Sequence, residues 1–198
     1  MEQNFGKSAP FSLGVEEEFQ ILNSESYELV SRIDEILPAL EGDREEKQIK
    51  AELLQSVVEV ATDVAATVGE AMEDLRRLRR RLRDVAAESG ALIASAGTHP
   101  FSRYEHQEVT EEPRYQDLIQ SMRWVAEREL IFGLHVHVGL DSPDKAIACA
   151  NGLRTHLPEL LALSANSPFW QGRDSGLAST RIPVFQVFPS PLRRRPID

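Results

Sequence analysis

Two short segments carry pairs of potential ligands spaced one residue apart: Gly14-Val15-Glu16-Glu17-Glu18-Phe19 and Gly133-Leu134-His135-Val136-His137-Val138. Alternation along a strand places Glu16 and Glu18 on one face, and His135 and His137 likewise. The opposite faces read Leu13, Val15, Glu17, Phe19, Ile21 and Leu134, Val136, Val138. Each strand thus has an apolar side for packing and a side that could hold a cation. Carboxylates are oxygen donors for hard cations, whereas imidazoles suit transition metals or phosphate contacts. The competing readings are a solvated acidic run for Glu16 and Glu18, and satisfied core histidines for His135 and His137. Glu17 points the other way and reads as structural.

Further candidates lie between and beyond these strands. Glu59 sits among valines in Ser56-Val57-Val58-Glu59-Val60, and Glu52 precedes it in the same segment. A buried carboxylate needs a metal or an arginine as partner; an edge-strand carboxylate facing water does not. His99 and Arg173 fall in expected loops at element ends, where binding residues often reside, and Arg181 follows. A guanidinium suits bidentate recognition of carboxylate or phosphate, and a surface ion pair is the alternative for each.

The elements that must position these groups are legible in part. Alternation predicts a strand over Phe11 to Leu22, and Ile33 to Leu40 reads as a short helix. Within Ala51 to Ala61, Leu53 and Leu54 fit a helical turn while Val57, Val58 and Val60 favour a strand. The apolar spacing from Val68 to Ala86 predicts a helix over Thr67 to Ser89. It is capped by Thr67 with Glu70 and stopped at Gly90. Its arginines, Arg76 to Arg83, read as a solvated face, with Glu73 paired to Arg77. A buried strand is expected over Ala91 to Gly97, a helix from Pro113 to about Glu129, and helices opening at Ser142-Pro143 and at Pro158. Cys149 reads as a buried helix residue. Ala165 to Thr180 reads as a polar loop and Val184 to Phe188 as β-like.

Bulk properties bound the class. The 198 residues, 41% hydrophobic and 27% charged, suit about one soluble globular domain. No apolar run is long enough to span a membrane, and Met1 to Pro10 lacks the apolar core of a signal peptide. One cysteine leaves no intrachain disulfide and suits a reducing cytoplasm. A net charge of −10 argues against nucleic-acid binding. The expected organisation is a flexible segment over 1–10, a partial catalytic domain over 11–189 and an irregular Arg/Pro tail over 190–198.

Taken in order, five motifs resemble the glutamate–cysteine ligase type 2 family of carboxylate–amine ligases. They are Leu13-Gly14-Val15-Glu16-Glu17-Glu18-Phe19, Glu52-Leu53-Leu54-Gln55-Ser56 through Glu59-Val60, and Gly97-Thr98-His99-Pro100-Phe101. The remaining two are Gly133-Leu134-His135-Val136-His137-Val138-Gly139 and Ala165-Asn166-Ser167-Pro168-Phe169-Trp170-Gln171-Gly172-Arg173-Asp174. The likeness spans Phe11 to Pro189. It implies an α+β, glutamine-synthetase-like catalytic fold: a curved, mainly antiparallel sheet backed by helices. It implies ATP-dependent joining of an amino-acid carboxylate to an amine through an acyl phosphate, with glutamate and cysteine as substrates, as in glutathione biosynthesis. By the same likeness Glu16, Glu18, Glu52 and Glu59 are magnesium ligands, with manganese as the other candidate. His135 belongs at the metal–phosphate centre as a catalytic residue and metal ligand, with His137 beside it. His99, Arg173 and Arg181 serve substrate or nucleotide, Arg173 also catalytically.

Members of that family are about twice as long, so the chain resembles an N-terminal half, as from a frameshift or a split gene. The expected partners are a complementing C-terminal half or a second copy. Two rival functions follow from the same residues: a non-catalytic remnant or subunit of such a ligase, and a metallohydrolase with zinc on His135 and His137.

Overall fold

The structure, a computed structural model, describes Lys7 and residues 9–186. Its centre is a long strand, β1 (Leu13–Asn23), formed where β-branched and aromatic residues alternate with polar ones. Strands β2 (Ile49–Ala51) and β3 (Val57–Ala61) lie to one side, in the order β2-β3-β1. The other side of β1 is shared end to end by β4 (Ala91–Ala94), on its C-terminal half, and β5 (Leu134–Val138), on its N-terminal half. Every pairing is antiparallel. The segment from 51 to 61 thus resolves as strand, turn and strand, with Glu52 in the turn.

A short helix α1 (Ile33–Ile36) precedes β2, and the long helix α2 (Val68–Glu88) covers the sheet. Thr67 caps α2 by accepting from the Glu70 amide at 3.2 Å, and the Glu70 carboxylate accepts from the Ala66 amide at 2.9 Å. Leu75, Leu78, Leu82 and Val85 of α2 pack on Phe19, Ile21, Val58 and Val60 of the sheet, with Ile33, Ile36 and Leu40 closing the cluster. This accounts for the apolar side of β1. A second cluster, Leu54, Val57, Leu130 and Phe132, lies with Val57 on the opposite side of β3.

The arginines of α2 are more engaged than a solvated face requires. Arg77 pairs with Asp74 and Glu45, not with Glu73. Arg81 reaches Asp43, and Arg79 grips Glu17, whose side chain is only 3% exposed. A carboxylate on the core face of β1 demands such a partner, so Glu17 is structural as read.

Beyond β4 the chain departs from expectation in several places. The helix expected over 113–129 is two, α3 (Pro113–Met122) and α4 (Trp124–Glu127), broken at Arg123 with φ 49°. Helices α5 (Pro143–Leu153) and α6 (Leu157–Ser164) form where Ser142 and proline signals place them. Neither buries a residue, so Cys149 is exposed rather than packed. The same holds for the apolar side of β5: Leu134, Val136 and Val138 are exposed. The loop 165–180 contains a small hairpin, β6 (Phe169–Trp170) and β7 (Arg173–Asp174). The β-like run at 184 begins instead in a helix, α7 (Arg181–Phe185). Pro183 is tolerated there because it sits in the first turn, where its missing N–H has no helical partner. The rest of that run and the expected 190–198 tail lie outside the described residues. No helix among the described residues is long and apolar enough to cross a membrane.

Candidate active site

Strand register, more than sequence spacing, assembles the site. Glu18 of β1 stands opposite Glu59 of β3, and Glu59 in turn opposite Lys50 of β2. On the other side Glu16 pairs with His135, and Gly14 with His137. Directly paired residues point to the same face of a sheet. Glu16, Glu18, Glu59, His135 and His137 therefore share the face opposite α2. Glu52 joins them from the β2–β3 turn, close enough to act electrostatically on both Glu18 and Glu59.

Crowding like charges on a half-buried surface has a clear consequence. Burial first, then the charges of Glu16, Glu52 and Glu18, push the Glu59 carboxyl up to about 7, against a smaller pull from Lys50. Burial also raises Glu18, opposed by the Gly133 amide, which donates to its Oε2 at 2.8 Å, while Glu52 raises it further. Glu16 accepts from His137 Nε2 at 3.0 Å and lies 3.6 Å from His135 Nδ1. Gly133 is required for this approach. A Cβ there would meet the His135 ring at 3.0 Å and Glu18 Oε1 at 3.4 Å.

The donor chemistry of four facing carboxylates suits a hard divalent cation, which would relieve their mutual repulsion. Among the described residues no three His, Cys, Asp or Glu side chains converge as a finished cation cage. The carboxylates are gathered on one face rather than closed around a point.

The remaining candidates divide. Arg181, at the start of α7, lines the same cavity as Glu18, Glu52 and His135, a space of about 260 Å³. Its stem lies against Gly97, where any Cβ would overlap it and come within 2.5 Å of Ser167 Oγ. The Gly97-Thr98 segment also holds the β6–β7 loop: Gly97 N donates to Asn166 Oδ1 and Thr98 Oγ1 to the Phe169 carbonyl. Arg173 is exposed on β7 and does not line that cavity. His99 is placed elsewhere. Its ring is buried, Nδ1 accepts from the Ser102 amide at 2.9 Å, and Nε2 faces the Tyr27 carbonyl at 2.9 Å. With Nδ1 accepting, Nε2 carries the proton, and burial lowers the ring's pKa. His99 is thus spent on fixing its own loop.

Two cavity residues escaped the sequence reading. Tyr115 of α3 donates to the Ala51 carbonyl at 3.2 Å, and burial beside Glu52 raises its pKa. Glu129, just after α4, is pushed up to about 7 by burial. Helical spacing flags Tyr115 weakly, and nothing in Glu127-Arg128-Glu129 signals burial.

Comparison with known proteins shows the family of the chain. The model of glutamate-cysteine ligase family 2 matches residues 12–193. A protein of Rubrobacter xylanophilus named "Putative glutamate--cysteine ligase 2-1" is 51% identical over 189 residues, covering 96% of this chain and 50% of the relative. One of the same name from Frankia alni is 46% identical over 193 residues, covering 96% and 50%. The chain thus spans about half the length of the curated relatives it matches. Among solved structures, a glutamate–cysteine ligase from Francisella tularensis in complex with AMP aligns with a TM-score of 0.51 at 14% identity. The alignment covers 75% of this chain and 30% of that one. That likeness is one of fold: an antiparallel sheet backed by helices, as expected.

Proposed function

Because the chain belongs to glutamate-cysteine ligase family 2, we propose that it carries the cation-and-phosphate wall of an ATP-dependent carboxylate–amine ligase. The observation that carries this reading is the gathering of Glu16, Glu18 and Glu59 on one sheet face, with Glu52 joining from the β2–β3 turn and Glu59 pushed up to about 7 by burial and then by the neighbouring carboxylates. Such a set is electrostatically incomplete without a cation. Mg²⁺, or Mn²⁺, is the ion its oxygen donors suit. When bound, the ion supplies neutralisation of phosphate charge, which a reaction between an anionic carboxylate and ATP requires.

The chemistry is a two-step ligation. A carboxylate oxygen of glutamate attacks the γ-phosphorus of ATP, the bond to the β–γ bridging oxygen breaks, and ADP leaves. The amine nitrogen of cysteine then attacks the acyl carbon, loses a proton, and expels inorganic phosphate. In this scheme the four carboxylates would hold the cation. The imidazoles of His135 and His137, exposed on β5 beside Glu16, would flank the phosphate groups from that side. Arg181 places a fixed positive charge in the cavity next to Glu18 for an anionic substrate group, and Arg173 serves such groups from the β6–β7 hairpin.

A second reading is a subunit that ligates only against further polypeptide. The exposed Leu134, Val136 and Val138 of β5 and the doubled length of the relatives support it. Phosphate release from ATP by the purified chain tests both. The ligase reading expects release that requires Mg²⁺, glutamate and cysteine together. If release appears only on adding the half of the R. xylanophilus relative left uncovered by this chain, the subunit reading holds. Phosphate release indifferent to glutamate in either setting contradicts both.

A further inference from the structure

The side of the sheet that α2 covers carries a second feature, away from the carboxylates. Helix α2 presents Arg79, Arg80 and Arg83 at the three- and four-residue spacings that share one helix face. Together with Phe19, Ile93 and Ser95 they line a groove of about 340 Å³ whose walls contain no carboxylate. In a chain of net charge −10 this is a local reversal of sign. Arg80 has no hydrogen-bond or ion-pair partner among the described residues. Arg83 holds only Asp84, its exposed neighbour in sequence, through Nε and Nη2. Arg79 uses Nε and Nη2 on Glu17 and keeps the hydrogens of Nη1. Phe19, buried in the core, and Ile93, packed against that core, give the groove an apolar floor.

The groove borders an open sheet edge. Among the described residues β4 pairs with β1 alone. Ile21, opposite Ile93 in that pairing, donates its amide to the Ser56 carbonyl at 2.9 Å, and its carbonyl accepts from the Val30 amide at 3.0 Å. The Ile21–Ile93 pair is therefore of the kind that exchanges no ladder bonds. The amide and carbonyl of Ile93 point away from β1, toward the open edge. An outward donor and acceptor on one edge residue form a template for a further strand. Charged side chains beside an edge ordinarily keep it from pairing. Here they have one sign and stand over an apolar floor, so they repel basic segments and admit acidic ones.

We propose that this groove is a docking site for an extended acidic segment of another protein, added as a strand beside β4. Alternate residues of a strand point to one face. The segment it fits therefore places carboxylates and an apolar side chain at alternating positions, the carboxylates against the arginines of α2 and the apolar group over Phe19 and Ile93. The groove lies across the sheet from Glu16, Glu18 and Glu59, and the proposal stands whether or not the chain ligates.

Fluorescence anisotropy with the full chain tests this. The probe is a labelled synthetic peptide in which threonines alternate with glutamate, valine and glutamate, and its control carries lysine in place of each glutamate. Saturable binding of the acidic peptide is expected, with the lysine peptide at least about tenfold weaker. Arg80→Glu and Arg83→Glu should each weaken the acidic peptide by about tenfold or more. Arg80 has no partner to lose, so the Arg80→Glu chain should melt within about 2 °C of the wild type. N-methylation of the peptide separates strand addition from charge alone. Methylating one alternate set of amides should abolish binding, and methylating the other should leave it within about threefold. No saturable binding of the acidic peptide, equal binding of the lysine peptide, an Arg80→Glu chain of unchanged affinity, or equal tolerance of both methylated sets overturns the proposal. A wild-type chain that sediments as a dimer, with Arg80→Glu a monomer, would give the groove to a second copy and overturn it too. So would loss of the bound peptide on adding the half of the R. xylanophilus relative left uncovered by this chain, which would give the groove to that half.

Discussion

Replacing Arg79 by methionine is expected to destabilise the fold by about 3 kcal/mol, the low end of the cost of leaving a buried charge unpaired, because Glu17 is buried while Arg79 itself is 44% exposed. Glu17 lies on the core side of β1, and both its oxygens accept from Arg79, each at 2.6 Å; Ser95 Oγ adds a third donor at 3.0 Å. Arg79→Met removes the countercharge and leaves the carboxylate between α2 and the sheet with one hydroxyl for company. For a chain of this size each kcal/mol moves the melting temperature by roughly 2–4 °C, so a drop of roughly 6–12 °C should follow. Urea unfolding of the single variants and of the Glu17→Gln/Arg79→Met pair gives the coupling directly. The double variant should recover part of the loss, since an amide is cheaper to bury than an unpaired carboxylate. A loss under about 1 kcal/mol for Arg79→Met would class the pair with ordinary surface ion pairs.

The second large effect is a link between pH and cation binding. Glu59 has a folded pKa of about 7, above its ordinary 4.5, so its charged form opposes folding. Its stabilising contribution is complete below about pH 4.5 and is lost as pH rises through about 7. Glu129, also at about 7, shares that window, so Glu59→Gln should reduce the alkaline loss of stability without abolishing it. Cation binding runs the opposite way, because only the ionised carboxylates bind it. The melting-temperature increase produced by MgCl₂ should therefore be larger at pH 8 than at pH 6. Glu59→Gln should flatten that difference and weaken Mg²⁺ by about tenfold or more, about 1.4 kcal/mol. An Mg²⁺ response equal at both pH values would remove Glu59 from the cation set.

Much of this was legible in the chain itself, for identifiable reasons. The period of two in β1 and β5 assigns Glu16, Glu18, His135 and His137 to faces without knowledge of the fold. What it does not reveal is which strand lies beside which. The opposition of Glu18 to Glu59 and of Glu16 to His135 is a matter of register, set by contacts 41 and 119 residues apart in sequence. Helix α2 was plain because its apolar stripe and caps agree; the partners of its arginines were not, since Glu45, Asp43 and Glu17 lie on other elements. His99 looked like a binding residue because loops after strands often supply them, yet its ring is consumed by the Ser102 amide and the Tyr27 carbonyl. Cys149 and the apolar side of β5 invert the usual rule. Their patterns read as buried, but no described element packs over them. Glu129 was invisible in a charged stretch, and only the fold turns its carboxylate inward.

Titrating a non-hydrolysable ATP analogue into the chain with Mg²⁺, and again with excess chelator, shows whether the carboxylate wall engages nucleotide through a divalent cation. Saturable binding is expected with Mg²⁺ and should collapse in chelator and in the Glu18→Gln chain. Binding of equal strength with and without the cation, or no binding in either, would contradict it.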